Sequence, residues 1–326
     1  MLGAGLIGGA IALRLHAAGR TVTVWDPAAD SRDEIHRAGL ATADDIHQAV
    51  NGAELVFLAG PLAALPGLVA EVLPLVNHDC VVTDVGSSKA GVLAAARRCE
   101  RSGRFVGGHP MAGAPHTGFR AATAELLVGA PWALCVDDLV DLSAFRALAG
   151  VLTEQFQARV VPVTAAGHDD AAALVSHLPH LMAAALTTVT AASGGLAPLL
   201  AAASYGHSTA PAASAPYRST AMVWENRDAV RRALAALTQA LADADAALGR
   251  GDMGQVRALF DAAYAVKSTG PMTSQGWRRF RADEAVAERR FLAGWGAAGG
   301  WLRSCQVDAG VVSYECSQGA AAGAQQ

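Results

Sequence analysis

Charge is scarce in this sequence: Asp, Glu, Lys and Arg make up 17% of its 326 residues, against 52% apolar. Much of the surface must therefore be buried, within the fold or against a partner chain. The formal net charge is only −4, so there is no basic footprint for nucleic acid, and none is expected as a partner. Cysteine is sparse too. Five residues (Cys80, Cys99, Cys135, Cys305, Cys316) form no C-x-x-C pair and are odd in number, which points to reduced thiols and a cytoplasmic location. From Ala171 to Tyr217 there is no Asp, Glu, Lys or Arg at all. A membrane span needs about 20 predominantly apolar residues, whereas this stretch is Ala-dominated and holds three His, four Pro and Gly194-Gly195. It reads as a buried helical core or a subunit interface, not as a membrane segment. No secretory leader is visible, because Met1 runs directly into a glycine motif.

What is present is an alternation. Short β-branched runs (Thr21–Trp25, Leu55–Ala59, Val81–Val85, Phe105–Gly107, Trp132–Val136) alternate with Ala-rich helical stretches (Leu6–Ala18, Leu65–Leu73, Ala90–Glu100, Leu142–Phe156). That is the pattern of a doubly wound parallel sheet covered by helices. Arg159–Pro162 reads as a last edge strand. Past Thr164 the strand signal stops and helices follow, broken near Gly194-Gly195 and between Gly206 and Pro216. The expected organisation is an α/β domain over residues 1–165, an all-α domain over 166–270, and an extension over 271–326. Gly294–Gln326, rich in Gly and Ala without a steady period, is expected to be poorly ordered. A glycine motif should follow a buried strand of about five residues, yet only Met1 and Leu2 precede Gly3. A start upstream of Met1 is expected.

The motif itself is Gly3-Ala4-Gly5-Leu6-Ile7-Gly8. Glycines at this spacing let backbone approach a pyrophosphate, and the N–H groups opening the next helix favour the anion. Asp26 follows the next strand, 18 residues after Gly8, where a carboxylate would hold the adenosine ribose hydroxyls and repel a 2′-phosphate. This predicts NAD bound by Gly3, Gly5, Leu6, Ile7, Gly8 and Asp26. An ordinary turn aspartate before Pro27 is the bland alternative for Asp26.

Three further segments carry chemistry. Val82-Thr83-Asp84-Val85-Gly86-Ser87-Ser88-Lys89 and Gly107-Gly108-His109-Pro110-Met111-Ala112-Gly113 end successive strands, where ligands of open α/β sheets collect. His109 suits the removal of a hydroxyl proton as a hydride leaves the same carbon; otherwise it is a structural loop histidine. Ser87 faces the same chemistry, or caps a helix. The third segment runs from His168-Asp169-Asp170 to Val175-Ser176-His177-Leu178-Pro179-His180, a helix expected to kink near Pro179. Metal ligation there is a weaker reading, because no cysteine or carboxylate falls at ligand spacing.

Together these segments resemble the prephenate dehydrogenase family of tyrosine biosynthesis, through G-x-G-L-I-G-G, T-D-x-G-S-x-K, G-G-H-P-M-A-G and H-D-x-x-x-x-x-V-S-H-L-P-H, over Gly3 to about residue 265. The resemblance implies a Rossmann domain followed by an all-helical domain through which a homodimer forms. It also implies that His109 takes the proton of the ring hydroxyl while the ring carbon gives hydride to NAD+. Ser87 would bond near that hydroxyl, and Ser176 and His180, supported by His177, would line the substrate pocket. Two departures stand out. Pro115 falls where the family has Glu, and Gly206-His207-Ser208-Thr209-Ala210 matches a family R-D-x-T-R segment. The Glu, the Asp and the final Arg of one ionic network are thus absent together. That fits either a new carboxylate partner (His116, His207 or Arg218) or an altered substrate such as arogenate or 4-amino-4-deoxyprephenate. A silent NAD-binding paralogue is the third reading. No βαββαβ regulatory pattern is read after residue 270.

Overall fold

The computed structural model describes residues 1–113, 116–268 and 274–319. They divide into two units, residues 1–168 with 274–319, and residues 169–268.

In the first unit, β-branched runs form short parallel strands: β1 (Thr23–Val24), β2 (Ala41–Thr42), β3 (Leu55–Leu58), β4 (Val81–Asp84) and β5 (Phe105–Val106). Between β1 and β3 lies Leu2, bridged in parallel to Trp25 and to Leu58. Its N–H donates to Phe57 O at 2.9 Å and its carbonyl accepts Ala59 N at 2.7 Å. On the other side Gly3 N donates to Trp25 O at 2.8 Å and Trp25 N to Met1 O at 2.9 Å. The central strand is therefore reduced to one bridging residue, but its place and its hydrogen bonds are kept. The resulting order, β2–β1–Leu2–β3–β4–β5, is the doubly wound dinucleotide order, whose reversal point lies beside Leu2. Helices α1 (Leu6–Ala17), α2 (Ala29–Arg37), α3 (Ile46–Val50), α4 (Leu65–Val72), α5 (Ala90–Ala96) and α6 (Leu142–Phe156) accompany the sheet. Beyond β5 the chain adds β6 (Gly108–Pro110), β7 (Pro131–Cys135) and β8 (Arg159–Val163).

The second unit is helical. Helix α7 (Ala165–Ala172) passes through a π-turn at Ala173–His177 into α8 (Leu178–Ala192). The irregularity expected as a kink near Pro179 is thus a π-turn just before it. Pro179 offers no N–H to the ladder where the ladder shifts register. There follow α9 (Leu196–Leu199), α10 (Ala203–Thr209), α11 (Pro216–Glu225), α12 (Arg227–Gly249) and α13 (Met253–Ser268). Helix α10 runs through Gly206 and ends at Thr209, so the break expected between Gly206 and Pro216 is found there, before α11 starts at Pro216. This unit has a small core, Ala173, Leu178, Ala229, Val230 and Ala233. Leu174, Val175, Val189, Leu199, Trp224 and Phe260 are among its many exposed large apolar side chains. Among the described residues one helix, Ala165–Ala192, is long and apolar enough to cross a membrane by length and composition. It carries His168, Asp169, Asp170, His177 and His180. The expectation of a buried core over Ala171–Tyr217 is not met within one chain, since only 28% of that helix's most apolar window is buried.

The extension corrects three expectations. Residues 274–319 are not poorly ordered: they form β9 (Ser274–Arg281), α14 (Ala285–Ala297), β10 (Gly300–Asp308) and β11 (Val311–Gln318), while residues 320–326 lie outside the described residues. The strand signal does not stop at Thr164. And β8 is not an edge, because β10 pairs with it antiparallel at Leu302–Val160, giving a sheet in the order β6-β7-β8-β10-β11-β9. The extension is a β-α-β-β unit rather than a full βαββαβ. A buried network holds it: Glu288 of α14 accepts both Nε (2.9 Å) and Nη2 of Arg146 on α6, and the Tyr314 hydroxyl at 2.6 Å. Leu292, Leu302, Val312 and Tyr314 join the core built on Trp132, Phe145 and Phe156. The Gly- and Ala-rich sequence hid this, because its apolar residues are spaced for burial against a helix and a strand distant in the chain, not for a core of their own.

Candidate functional site

The glycine motif sits where the sheet order reverses. Gly3 has φ +94°, and a Cβ there would lie 2.6 Å from Ala59 O; a Cβ on Gly8 would lie 2.1 Å from Gly3 O. Only glycine fits either place, so the loop closes tightly against β3 and hands over to α1. Gly5 stands at the N-cap of α1, and no side chain caps the helix, which leaves first-turn N–H groups directed out for an anion. Leu6 is buried and Ile7 packs on the core, so these two offer backbone rather than side chain. The half-buried Asp26 accepts Ala4 N at 2.8 Å through Oδ2 and Ala28 N at 3.0 Å through Oδ1. The second bond is the turn role weighed against cofactor binding. Because each carboxylate oxygen accepts more than one bond, the turn and a ribose contact are compatible. Cradle, helix start and terminal carboxylate fit a dinucleotide.

Beyond the adjacent strand ends stands a buried ion pair that sequence reasoning quoted but gave no role. Lys89 and Asp84 are fully buried and bonded to each other. Asp84 also accepts Gly86 N at 2.9 Å and Gly108 N at 3.1 Å, and Lys89 donates to Gly108 O at 2.7 Å. Both backbone groups of Gly108 are thus pinned, one residue before His109. A Cβ on Gly108 would come within 2.7 Å of Asp84 O, so glycine is needed for this approach. The signal was available: an aspartate ending the buried strand Val81–Asp84 must have a partner. Ser87 is half-buried in the same turn. It is not the cap of α5, whose N-cap is Lys89, without a side-chain bond.

His109 is half-buried on β6, and its Nδ1 lies 2.9 Å from Nε2 of His168, which is almost wholly buried. The rings meet edge to face at 71° with centroids 5.1 Å apart. Sequence reasoning named the segment containing His168 without assigning that residue.

In the helical unit, His177 is fully buried, with Nδ1 3.1 Å from Asn226 Nδ2, which also donates to Asp169 O at 2.7 Å. This ties the π-turn to the start of α12. Ser176 and His180 are half-buried, four positions apart along the helix. His180 Nδ1 lies 3.4 Å from Ser219 Oγ on α11. Burial lowers the His180 pKa and the Arg218 charge lowers it further, while a hydrogen bond from the His180 ring to the Pro211 carbonyl opposes both. His116, His207, Ala210 and Arg218 are exposed, and Pro115 lies outside the described residues. Among the described residues no three His, Cys, Asp or Glu side chains gather as a metal site.

Family models for the nucleotide-binding domain and the dimerization domain of prephenate dehydrogenase match residues 10–162 and 164–262. The chain belongs to the prephenate dehydrogenase family. It is 32% identical to the prephenate dehydrogenase of Bacillus subtilis over 244 residues, 71% of this chain and 64% of that protein. It is also 32% identical to the cyclohexadienyl dehydrogenase of Zymomonas mobilis over 187 residues, 56% of this chain and 64% of that one. The chain thus spans 64% of the length of each of these relatives. Among solved structures it resembles a candidate prephenate dehydrogenase from Corynebacterium glutamicum, with TM-score 0.71 and 29% identity over 78% of this chain and 87% of the other. It shares the fold of the A. aeolicus prephenate dehydrogenase solved with hydroxyphenyl propionate and NAD+, with TM-score 0.74 and 22% identity over 81% and 94% of the two chains. NAD is the cofactor this family membership supports, in agreement with the glycine cradle.

Proposed function

We propose that the chain is an NAD+-dependent dehydrogenase of a cyclohexadienyl carboxylate, prephenate first, yielding 4-hydroxyphenylpyruvate and CO2. The observation that carries this reading is His109, pinned by Gly108 to the Asp84–Lys89 pair beyond the strand ends of a dinucleotide sheet. When bound, NAD+ supplies the hydride acceptor. Nε2 of His109 takes the proton of the 4-hydroxyl as C4 loses its hydride, and Ser87 bonds to the same oxygen. The C1–carboxylate bond breaks, CO2 leaves, and its electron pair completes the aromatic ring. Aromatisation drives the reaction, so the protein's task is to place C4 and handle one proton. Ser176 and His180 bind the substrate's carboxylates in this reading.

A second reading, a modified substrate such as arogenate or 4-amino-4-deoxyprephenate, is favoured by one observation. Ala210 and His207 are found where the family has Arg and Asp, while the charge felt by His180 comes from Arg218 on another helix. Purified protein is incubated with NAD+ and each acid, and absorbance of the reduced cofactor is followed. Turnover of prephenate above the others selects the first reading, and turnover of an amino analogue selects the second. Tight NAD+ binding with no turnover of any marks a silent paralogue and sinks both. His109→Asn should lower kcat by roughly 10²–10⁴, the worth of a general base, with NAD+ affinity kept; unchanged kcat removes His109 from its role.

A homodimer through the helical unit belongs to the same proposal, since an exposed apolar surface of this extent needs a cover. A monomeric mass in sedimentation at micromolar concentration would refute it. A cytoplasmic location and the absence of membrane and nucleic-acid partners accompany it.

A further inference from the structure

The geometry points to His168 as the positioning residue that makes His109 a base, a statement that rests on His109 being the proton acceptor. Two neutral imidazoles that meet nitrogen to nitrogen share one proton. In one arrangement His109 carries its proton on Nδ1, donates it to Nε2 of His168, and its own Nε2 is unprotonated and can accept a proton. In the other, His168 donates from Nε2, His109 is protonated on Nε2, and no base faces the substrate. The 2.9 Å Nδ1–Nε2 contact therefore ties the competence of His109 to the tautomer of His168. Only a His168 protonated on Nδ1 serves. When Nε2 of His109 takes the substrate proton, the cation so formed keeps its Nδ1–H bond to a neutral acceptor, and that bond strengthens with the charge. A carboxylate does this in hydrolase triads; here an imidazole would. The proton travels from substrate oxygen to His109 and then to solvent, and His168 keeps its own.

The placement of His168 is built with care. It sits in the first turn of α7, where His168 N donates to Thr164 O at 2.8 Å and Thr164 Oγ1 accepts Gly167 N at 3.1 Å. Asp137, just past β7, accepts the N–H of Ala165 at 3.0 Å. Arg289 of α14 in turn donates to the carbonyls of Asp137 (2.6 Å) and Val140 (2.7 Å). The extension thus steadies the loop that caps the helix that carries His168. Charged groups on the elements that carry the pair are Asp169, next to His168 in sequence, Asp137, which accepts at the start of α7, and the Asp84–Lys89 pair bonded to Gly108.

The test needs no substrate to begin with. In long-range 1H–15N spectra of the whole protein at pH 8, His109 and His168 should both appear as Nδ1–H tautomers. An Nε2–H tautomer for His109 overturns the proposal. With NAD+ and whichever cyclohexadienyl acid is turned over, His168→Leu should lower kcat roughly 10²-fold, the scale of a misplaced catalytic group, with KM within about threefold. His168→Gln, whose amide oxygen can accept from Nδ1 and cannot titrate, should regain most of the loss. His168→Glu should move the acid limb of kcat/KM to higher pH, since a carboxylate favours the charged ring. If the Leu variant fails to fold, the Gln and Glu variants decide. An acid limb that stays in place in both, at wild-type kcat, reduces His168 to a packing residue. If instead His109→Asn retains full activity, it is the reading of His109 that falls.

Discussion

Replacing Glu288 by Gln tests whether the extension is part of the first unit or an appendage. The substitution keeps shape and removes one charge. In the folded protein Glu288 is fully buried, and it accepts two bonds from Arg146 and one from Tyr314. The same burial, with the carboxylate beside it, pushes the Tyr314 hydroxyl far above its ordinary pKa and the Cys305 thiol up to about 12. Without the carboxylate, Arg146 keeps its charge with little water, since only 16% of its side chain is exposed. Stranding one partner of a buried pair costs about 3–5 kcal/mol. The residual exposure of Arg146 places this case at the low end, near ~3 kcal/mol. For a cooperative unit of this size that lowers Tm by about 6–12 °C. An exposed pair provides the control: Arg232–Asp170 is more than half exposed on both sides, so Arg232→Gln should leave the unfolding midpoint almost unchanged. The assay is urea unfolding at pH 7, followed by far-ultraviolet circular dichroism and by tryptophan emission, because Trp277, Trp295 and Trp301 all lie in the extension. A midpoint shift worth about 3 kcal/mol, with unchanged slope, is expected in both signals. A loss below ~1 kcal/mol would refute the energetic argument. So would an emission transition well ahead of the dichroism in the parent protein, since the extension would then unfold by itself.

Gly8→Ala should abolish NAD+ binding, measured by calorimetry, because its Cβ would sit 2.1 Å from Gly3 O and force the loop open; retained affinity would show that the cradle is not the cofactor site. The His180 pKa is lowered by burial and then by Arg218, so the fold holds this ring neutral. Its contribution to stability is then complete above the unfolded value near 6.5 and declines as pH falls below it toward the lower folded value. Arg218→Leu should raise the His180 pKa in NMR titration by less than burial lowers it. No movement would remove Arg218 from the neighbourhood of His180, and with it the main support for a relocated carboxylate partner.

Much of this protein was legible in its sequence because the relevant physics is local. Alternating β-branched and Ala-rich runs determined the α/β order, and glycines at fixed spacing before an apolar helix determined the cradle. Asp26, Ser87, His109, Ser176, His177 and His180 could all be named because each stands in a short motif. What only tertiary structure decided depends on residues far apart in the chain. The partner of His109 is His168, 59 residues away. Gly108 is pinned by an Asp84–Lys89 pair contributed by the preceding strand and the start of the next helix. The place of residues 274–319 follows from contacts such as Arg146–Glu288, 142 residues apart. A strand that completes a sheet begun far earlier in the chain needs neither a long apolar run nor a strong period, because its burial is supplied by the elements it joins. That is why a Gly- and Ala-rich tail could read as disorder and still fold onto β8.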